Sequence, residues 1–220
     1  MNVHQTGAHE PLVEEHTVDT EWLSISDLMS GLLLIFALLV VVTLFQLKTM
    51  QEETQNKRIL VIQALQQQFN SNGINAKVNP ETGDITLLES VLFGFNEQEL
   101  KPEGRAFLNR FLPVYSHVIF SDENISKEIT RVIIEGHTSS DGALGYNMQL
   151  SLGRANSVFQ YINAMEHLPE KSDFLNKIQV SGRGPMDAQP SESLDSDRKV
   201  IFRMQFKSED ALNQVLRINK

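Results

Sequence analysis

The chain contains no cysteine. That excludes a disulfide framework, a thiolate metal site and a lipid-modified cysteine, and it leaves the compartment open. Basic charge is also scarce: 19 Lys and Arg stand against 28 Asp and Glu, a formal net charge of −9. No basic stripe is left to meet phosphates, so a nucleic-acid partner is not expected. Residues 1–26 lack Lys and Arg altogether while carrying Glu10, Glu14, Glu15, Asp19 and Glu21. There is no internal repeat, no nucleophile–base pairing, no phosphate loop and no metal-ligand spacing. His4, His9 and His16 are too loosely spaced to form a site. An enzyme, a bound metal and a cofactor are therefore not expected.

What is present begins with an apolar run. Residues 28–47, LMSGLLLIFALLVVVTLFQL, carry no formal charge. At ~1.5 Å per helical residue the run spans ~30 Å, the thickness of a bilayer's hydrocarbon core. A signal peptide needs a basic leading region, a shorter run and a small-residue cleavage site. Here the leading region is acidic and the run ends Leu-Phe-Gln-Leu-Lys. The reading is an acidic tail over 1–22 and a transmembrane helix over 23–47. A buried core helix fits less well, because the run is apolar on every face.

Asp27 stands just before this run. Ser30, Gly31 and Leu34 follow at helical steps of three, four and seven, so the carboxylate shares a face with small residues. The residues alone leave two readings. Asp27 is a helix N-cap in the headgroup region, which suits its residue type, or it is a functional carboxylate inside the membrane. Trp22 is an interface-type aromatic, and five residues on, at ~1.5 Å each, Asp27 lies ~7 Å deeper. An ionised Asp at mid-bilayer costs ~2.5–3.5 kcal/mol on insertion scales, so it is kept there mainly for a use.

Residues 48–75 read as a stem or linker: Gln-rich and polar, with Ile59, Ile62, Leu65 and Phe69 at near-helical spacing before Asn72-Gly73. A solvated spacer is the alternative for its first turns. From Ala76 the pattern changes to alternating strands and helices of an α+β domain over 76–206. The turn Asn79-Pro80-Glu81-Thr82-Gly83-Asp84 precedes a strand at 85–88, and a helix can begin at Pro102. Residues 129–135 form a β-branched strand, 146–165 a helix, and 178–181 and 199–206 strands. Residues 191–197 are a polar loop and 207–220 a short amphipathic tail. Glu135 reads as a solvated acid at a strand end, and His137 as a packed or hydrogen-bonded histidine rather than a metal ligand.

Two stretches resemble known families. Asp27-Leu28-Met29-Ser30-Gly31 with its apolar continuation resembles the start of the membrane helix in flagellar stator B subunits of the MotB type. Val132-Ile133-Ile134-Glu135-Gly136-His137-Thr138, followed by Tyr146-Asn147-Met148-Gln149-Leu150-Ser151-Leu152-Gly153-Arg154-Ala155, resembles the OmpA-like peptidoglycan-binding signature. Supporting pieces are Val91-Leu92-Phe93-Gly94-Phe95 with Leu100-Lys101-Pro102-Glu103-Gly104, and Gly182-Arg183-Gly184 before Asp197-Arg198-Lys199-Val200. The resemblance implies a βαβαβ-type domain that binds the diaminopimelate-bearing stem peptide of peptidoglycan. Arg154 matches the arginine that meets the ligand carboxylate, with Asn147, Tyr146 and Leu150 on the ligand-facing turn and Thr138 in the Gly-His-Thr turn. The chain departs from the pattern at Ser139, where the family carries the aspartate that pairs with the ligand ammonium. Asp141, two residues on, is the candidate substitute. Asp197 likewise replaces a family asparagine.

The acidic tail, the Trp22–Gly31 run and the short linker, which would reach ~40 Å if helical, are closer to the B subunit of Zorya anti-phage defence systems. That resemblance implies an ion-driven motor in which Asp27, beside Ser30, binds the ion. Its partner would be an A-type membrane subunit of the MotA or ZorA kind, five A chains around a homodimer of B chains. A proton is the expected ion and sodium the alternative. Two other readings stay open: a flagellar-type stator subunit, and a static tether between membrane and cell wall. An outer-membrane barrel is not expected, because no series of alternating ~10-residue strands is present. Lys48, Lys57 and Arg58 follow the helix while none precedes it, so the positive-inside rule favours an external N-terminus. The wall-binding signature implies the reverse: residues 1–22 in the cytoplasm of a single-pass inner-membrane protein, the domain in the periplasm.

Overall fold

The computed structural model describes residues 16–189 and 194–207. The first fifteen residues of the acidic tail, part of the polar loop, and the tail from residue 208 lie outside the described residues. The chain divides into two units, Met1–Glu52 and Glu53–Lys220.

Helix α1, His16–Ser71, runs through the apolar segment. Within it Ile25–Thr49 is long and apolar enough to cross a membrane, and none of that window is buried by the rest of the chain. Leu, Ile, Val and Phe side chains stand exposed on every face there, from Leu28 to Leu47. A helix of this kind needs lipid or partner helices around it.

The second unit takes in the end of α1. Val61, Ile62, Leu65 and Phe69 are buried in the core, so the packed unit starts well before Ala76, the boundary expected from the sequence. The helix stops in a Schellman motif: the Ile74 amide donates to the Phe69 carbonyl at 2.9 Å and the Gly73 amide to the Asn70 carbonyl at 3.2 Å. Gly73 supplies the left-handed turn at φ 63°. Phe69 and Ile74, on either side of this turn, are both core residues.

Strands β1 (Lys77–Val78), β2 (Ile85–Leu88), β3 (Ile129–His137), β4 (Ile178–Gly184) and β5 (Lys199–Phe206) form one sheet. The order is β1-β2-β5-β3-β4, with only β3 and β4 parallel. That parallel pair requires a crossover, supplied by α5 (Leu144–Ala164) and α6 (Lys171–Lys177). Helices α2 (Glu89–Leu92), α3 (Pro102–Phe120) and α4 (Glu123–Glu128) connect β2 to β3. The core is aromatic. Phe111 lies 5.2–5.8 Å, centroid to centroid, from Phe69, Phe107, Tyr115 and Phe202. Each such ring contributes ~1.5–3 kcal/mol by burial.

Two glycines set the position of α5. A Cβ on Gly136 of β3 would lie 2.0 Å from the Ser151 carbonyl oxygen, and one on Gly182 of β4 would lie 2.7 Å from the Leu152 amide. Only glycine lets helix and strand backbones approach this closely. The face of α5 carrying Asn147, Leu150, Ser151 and Arg154 is thereby held against the ends of β3 and β4.

Candidate functional site

A pocket of about 210 Å³ opens where β3 passes into α5. Its lining includes Thr138, Asp141, Tyr146, Asn147, Leu150 and Arg154, all six residues expected from the sequence to meet the stem peptide. Asn147 and Arg154 lie on one face of α5, and both are buried. Asn147 is committed to the loop: its amide donates to the Asp141 carbonyl at 2.7 Å and lies 3.5 Å from the Ser139 carbonyl. It therefore shapes the 139–141 turn, in which the Ser139 hydroxyl faces the Asp141 carboxylate at 3.4 Å. Tyr146 is half exposed at the rim.

Arg154 is only 2% exposed. Its Nη2 donates to Glu89 Oε1 at 2.5 Å and its Nε to the Glu97 carbonyl at 2.9 Å. The guanidinium sits 5.6 Å from the Phe93 ring centroid. Burial pulls its pKa below the ordinary value, against the opposing pull of Glu89. Two further lining residues, Glu89 and Arg198, were not expected as site residues. Arg198 Nε lies 3.1 Å from Glu89 Oε2, so one carboxylate serves two guanidinium groups. Arg154 Nη1 and Thr138 Oγ1 are buried without a hydrogen-bond partner. A buried polar group left so costs about 1–3 kcal/mol.

Behind the pocket, Glu135 is buried rather than solvated, which corrects the expectation for it. His137 explains the burial, its Nε2 lying 3.0 Å from Glu135 Oε1, while Arg203 stands 3.4 Å from the same oxygen. Burial pushes the Glu135 carboxyl up, but the His137 hydrogen bond and the charges of Arg203, His137 and Arg183 outweigh it and hold the group below its usual range. Asp187, hydrogen-bonded by Arg183, is also held low and lies 3.5 Å from His137 Nδ1. By distance alone Glu135, His137 and Asp187 can gather round a metal ion. Two guanidinium groups already neutralise these acids, which disfavours a divalent cation there.

In the first unit, α1 begins at His16, so Asp27 lies inside the helix and is not its N-cap. The capping alternative is overturned by the helix running on ahead of Trp22. Ser30 donates its hydroxyl to the Ser26 carbonyl at 2.8 Å, satisfying it within the helix.

The fold and pocket define an OmpA-like α+β domain carried behind a candidate transmembrane helix. The model of the OmpA family matches residues 92–201, half of the 220-residue chain, and the chain belongs to that family. It is 28% identical to Zorya protein ZorB of Escherichia coli strain Crooks, over 89% of this chain and 92% of that one. It is 33% identical to outer membrane protein A of Escherichia fergusonii, over 53% of this chain and 42% of that one. Among solved structures, a MotB-like protein from Desulfovibrio vulgaris superposes with a TM-score of 0.53 at 18% identity, covering 72% of this chain and 96% of that one.

Proposed function

We propose that this chain is a peptidoglycan-anchored, stator-type subunit of an ion-driven motor in anti-phage defence, sitting in the bacterial inner membrane. The observation that carries the reading is the reach of the similarity. The Zorya relative aligns over 89% of this chain, which takes in apolar helix and domain together, whereas outer membrane protein A aligns over 53%. Asp27 is the ion-carrying carboxylate, with Ser30 on the same helix face. A carboxylate in an apolar setting is a good proton site, so the ion is a proton. The partner is a MotA- or ZorA-like membrane subunit, five copies around a homodimer of this chain.

The pocket supports the anchoring half. Arg154 and Arg198 set two positive charges against the one negative charge of Glu89, and Asp141 adds a carboxylate to the same lining. A ligand end that carries both a carboxylate and an ammonium, as diaminopimelate does, meets a complement to each. Arg154 takes the carboxylate, a planar fork suited to a two-pronged contact. Asp141 takes the ammonium in place of the acid that the family carries at the Ser139 position.

Such a site works only with the domain in the periplasm and residues 1–22 in the cytoplasm. A periplasm-dependent reporter fused after Lys220 tests this; the fusion should be active. An inactive fusion at normal expression overturns the topology and the wall-anchoring claim together.

A further inference from the structure

The turn that carries Thr138, Ser139 and Asp141 into the pocket leaves β3 at an irregularity. As far as Gly136, β3 and β4 pair in step, with Gly136 opposite Gly182; the register then shifts, and His137 stands opposite Gly184. A bulge of this kind disrupts the ladder locally and re-aims the side chains beside it. The backbone ties that remain both run through Gly184. Its carbonyl accepts from the Thr138 amide at 3.0 Å, and its own amide donates to Ser151 Oγ of α5 at 2.9 Å. Asn147 holds the turn from the α5 side. On the β4 side the corresponding hold is a side chain, that of His137.

The His137 ring is buried and is met at both nitrogens. Nε2 lies 3.0 Å from Glu135 Oε1, two residues back on β3, and Nδ1 lies 3.5 Å from Asp187 Oδ2, in the turn that follows β4. Each carboxylate is fixed in its turn by a guanidinium from a neighbouring strand. Arg203 of β5 lies 3.4 Å from Glu135 Oε1, and Arg183 of β4 donates to Asp187 Oδ1 at 2.9 Å. The row crosses the sheet from β5 to the turn after β4 and grips the residue beside Thr138. None of its five members lines the pocket, so any effect on a ligand passes through the turn. Apparent affinity scales with the fraction of molecules whose site is in its binding arrangement. A side chain that selects that arrangement raises affinity without touching the ligand.

We propose that His137 and Asp187 are positioning residues for the pocket: bridged to each other, they hold the Thr138–Asp141 turn in the arrangement that binds the wall peptide. The inference rests on the wall-anchoring reading and extends it to a half-exposed residue outside the pocket. The test titrates the full-length chain in detergent micelles, by calorimetry, with diaminopimelate-containing stem peptide freed of sugar by an amidase. Asp187→Asn keeps the size but removes the charge at Nδ1, and should weaken peptide binding ~3-fold. His137→Gln, whose amide reaches one acid instead of two, should weaken it ~10-fold, in the range of one net hydrogen bond. Asp187→Glu restores the carboxylate and should recover most of the affinity. Arg58→Ala separates positioning from stability. Arg58 lies over the Phe206 ring, at the other end of β5, and donates to the Thr82 carbonyl at 3.1 Å. Its loss should lower the melting temperature and leave peptide affinity unchanged. Parent-like affinity in Asp187→Asn or His137→Gln, or an equal loss in Arg58→Ala, overturns the positioning role while the pocket reading stands. If the parent itself does not bind the peptide, both fall.

Discussion

Arg154 and Glu89, 65 residues apart in sequence, meet at 2.5 Å in the floor of the pocket with hardly any exposure to solvent. Removing one partner of a buried pair strands the other charge, at about 3–5 kcal/mol. Arg154→Ala therefore has two effects. It removes the proposed charge-assisted contact to the ligand carboxylate, a bond class worth ~1.5–3 kcal/mol, so binding to isolated sacculi should fall ~10- to 150-fold. It should also lower the melting temperature, by ~2–4 °C per kcal/mol for a unit of this size. Arg154→Lys keeps a charge beside Glu89 but loses the fork, so most of the stability should return and most of the binding should not. If Arg154→Lys binds sacculi like the parent, the planar fork is not what holds the ligand.

Ser139 and Asp141 make the second prediction. Their side chains face each other at 3.4 Å in a turn held by Asn147, so an acid at either position reaches the same part of the pocket. Asp141→Ala should weaken sacculus binding, and Ser139→Asp in that background should restore it. Binding indifferent to Asp141 would mean that no acid here meets the ligand ammonium.

The candidate site was legible through resemblance: the Gly-His-Thr turn and the α5 stretch match the OmpA-like signature, and that match, not periodicity, singled out Thr138, Asn147, Leu150 and Arg154. The β-branched run of β3 and the helical spacing of α5 told only which element carries each. Glu89 and Arg198 were not legible as pocket residues. Glu89 reads locally as an ordinary charge beside an apolar run, Arg198 falls in the Asp197–Val200 piece of the signature without a role of its own, and only the β2–β5 pairing, which joins Leu88 to Lys199, brings them together. The buried end of α1 was missed for another reason. Polar residues outnumber apolar ones there, so the near-helical spacing of Ile62, Leu65 and Phe69 marks a helix face without saying what it packs against; the Phe69 ring lies 5.4 Å, centroid to centroid, from Phe111 of α3. Helices α4 and α6, six and seven residues long, are too short to express a period.

Glu135 predicts an acid-sensitive fold. Its native pKa lies below its unfolded value, about 4.3 for a free Glu. The stabilisation is therefore fully present above that value and is lost as pH falls through the native pKa. Asp187, held low by Arg183, adds to the loss in the same direction, but less, being more exposed. Glu135→Gln should lower the melting temperature at neutral pH, since an amide pairs poorly with His137 and Arg203. It should also flatten the acid limb of a plot of melting temperature against pH. Parallel acid limbs in variant and parent would remove Glu135 from the account.

The proposed function turns on Asp27. It lies within α1 rather than at its start, so capping does not explain it. Among the described residues of Ile25–Thr49 it is the one carboxylate ahead of an apolar stretch that nothing in the chain covers. An ionised group in that position is costly unless partner residues or a bound ion compensate it. Asp27→Asn keeps the size and much of the hydrogen bonding but cannot cycle its charge. The variant should assemble with its A-type partner as the parent does, yet conduct no ions in reconstituted vesicles and give no protection against phage. Asp27→Glu keeps the charge and moves it by one methylene, so it should retain part of both activities. Measuring conductance and protection on the same variants separates a motor from a tether, because a tether has no conductance to lose. Full protection by Asp27→Asn, with normal expression and assembly, would reduce the chain to a link between membrane and wall.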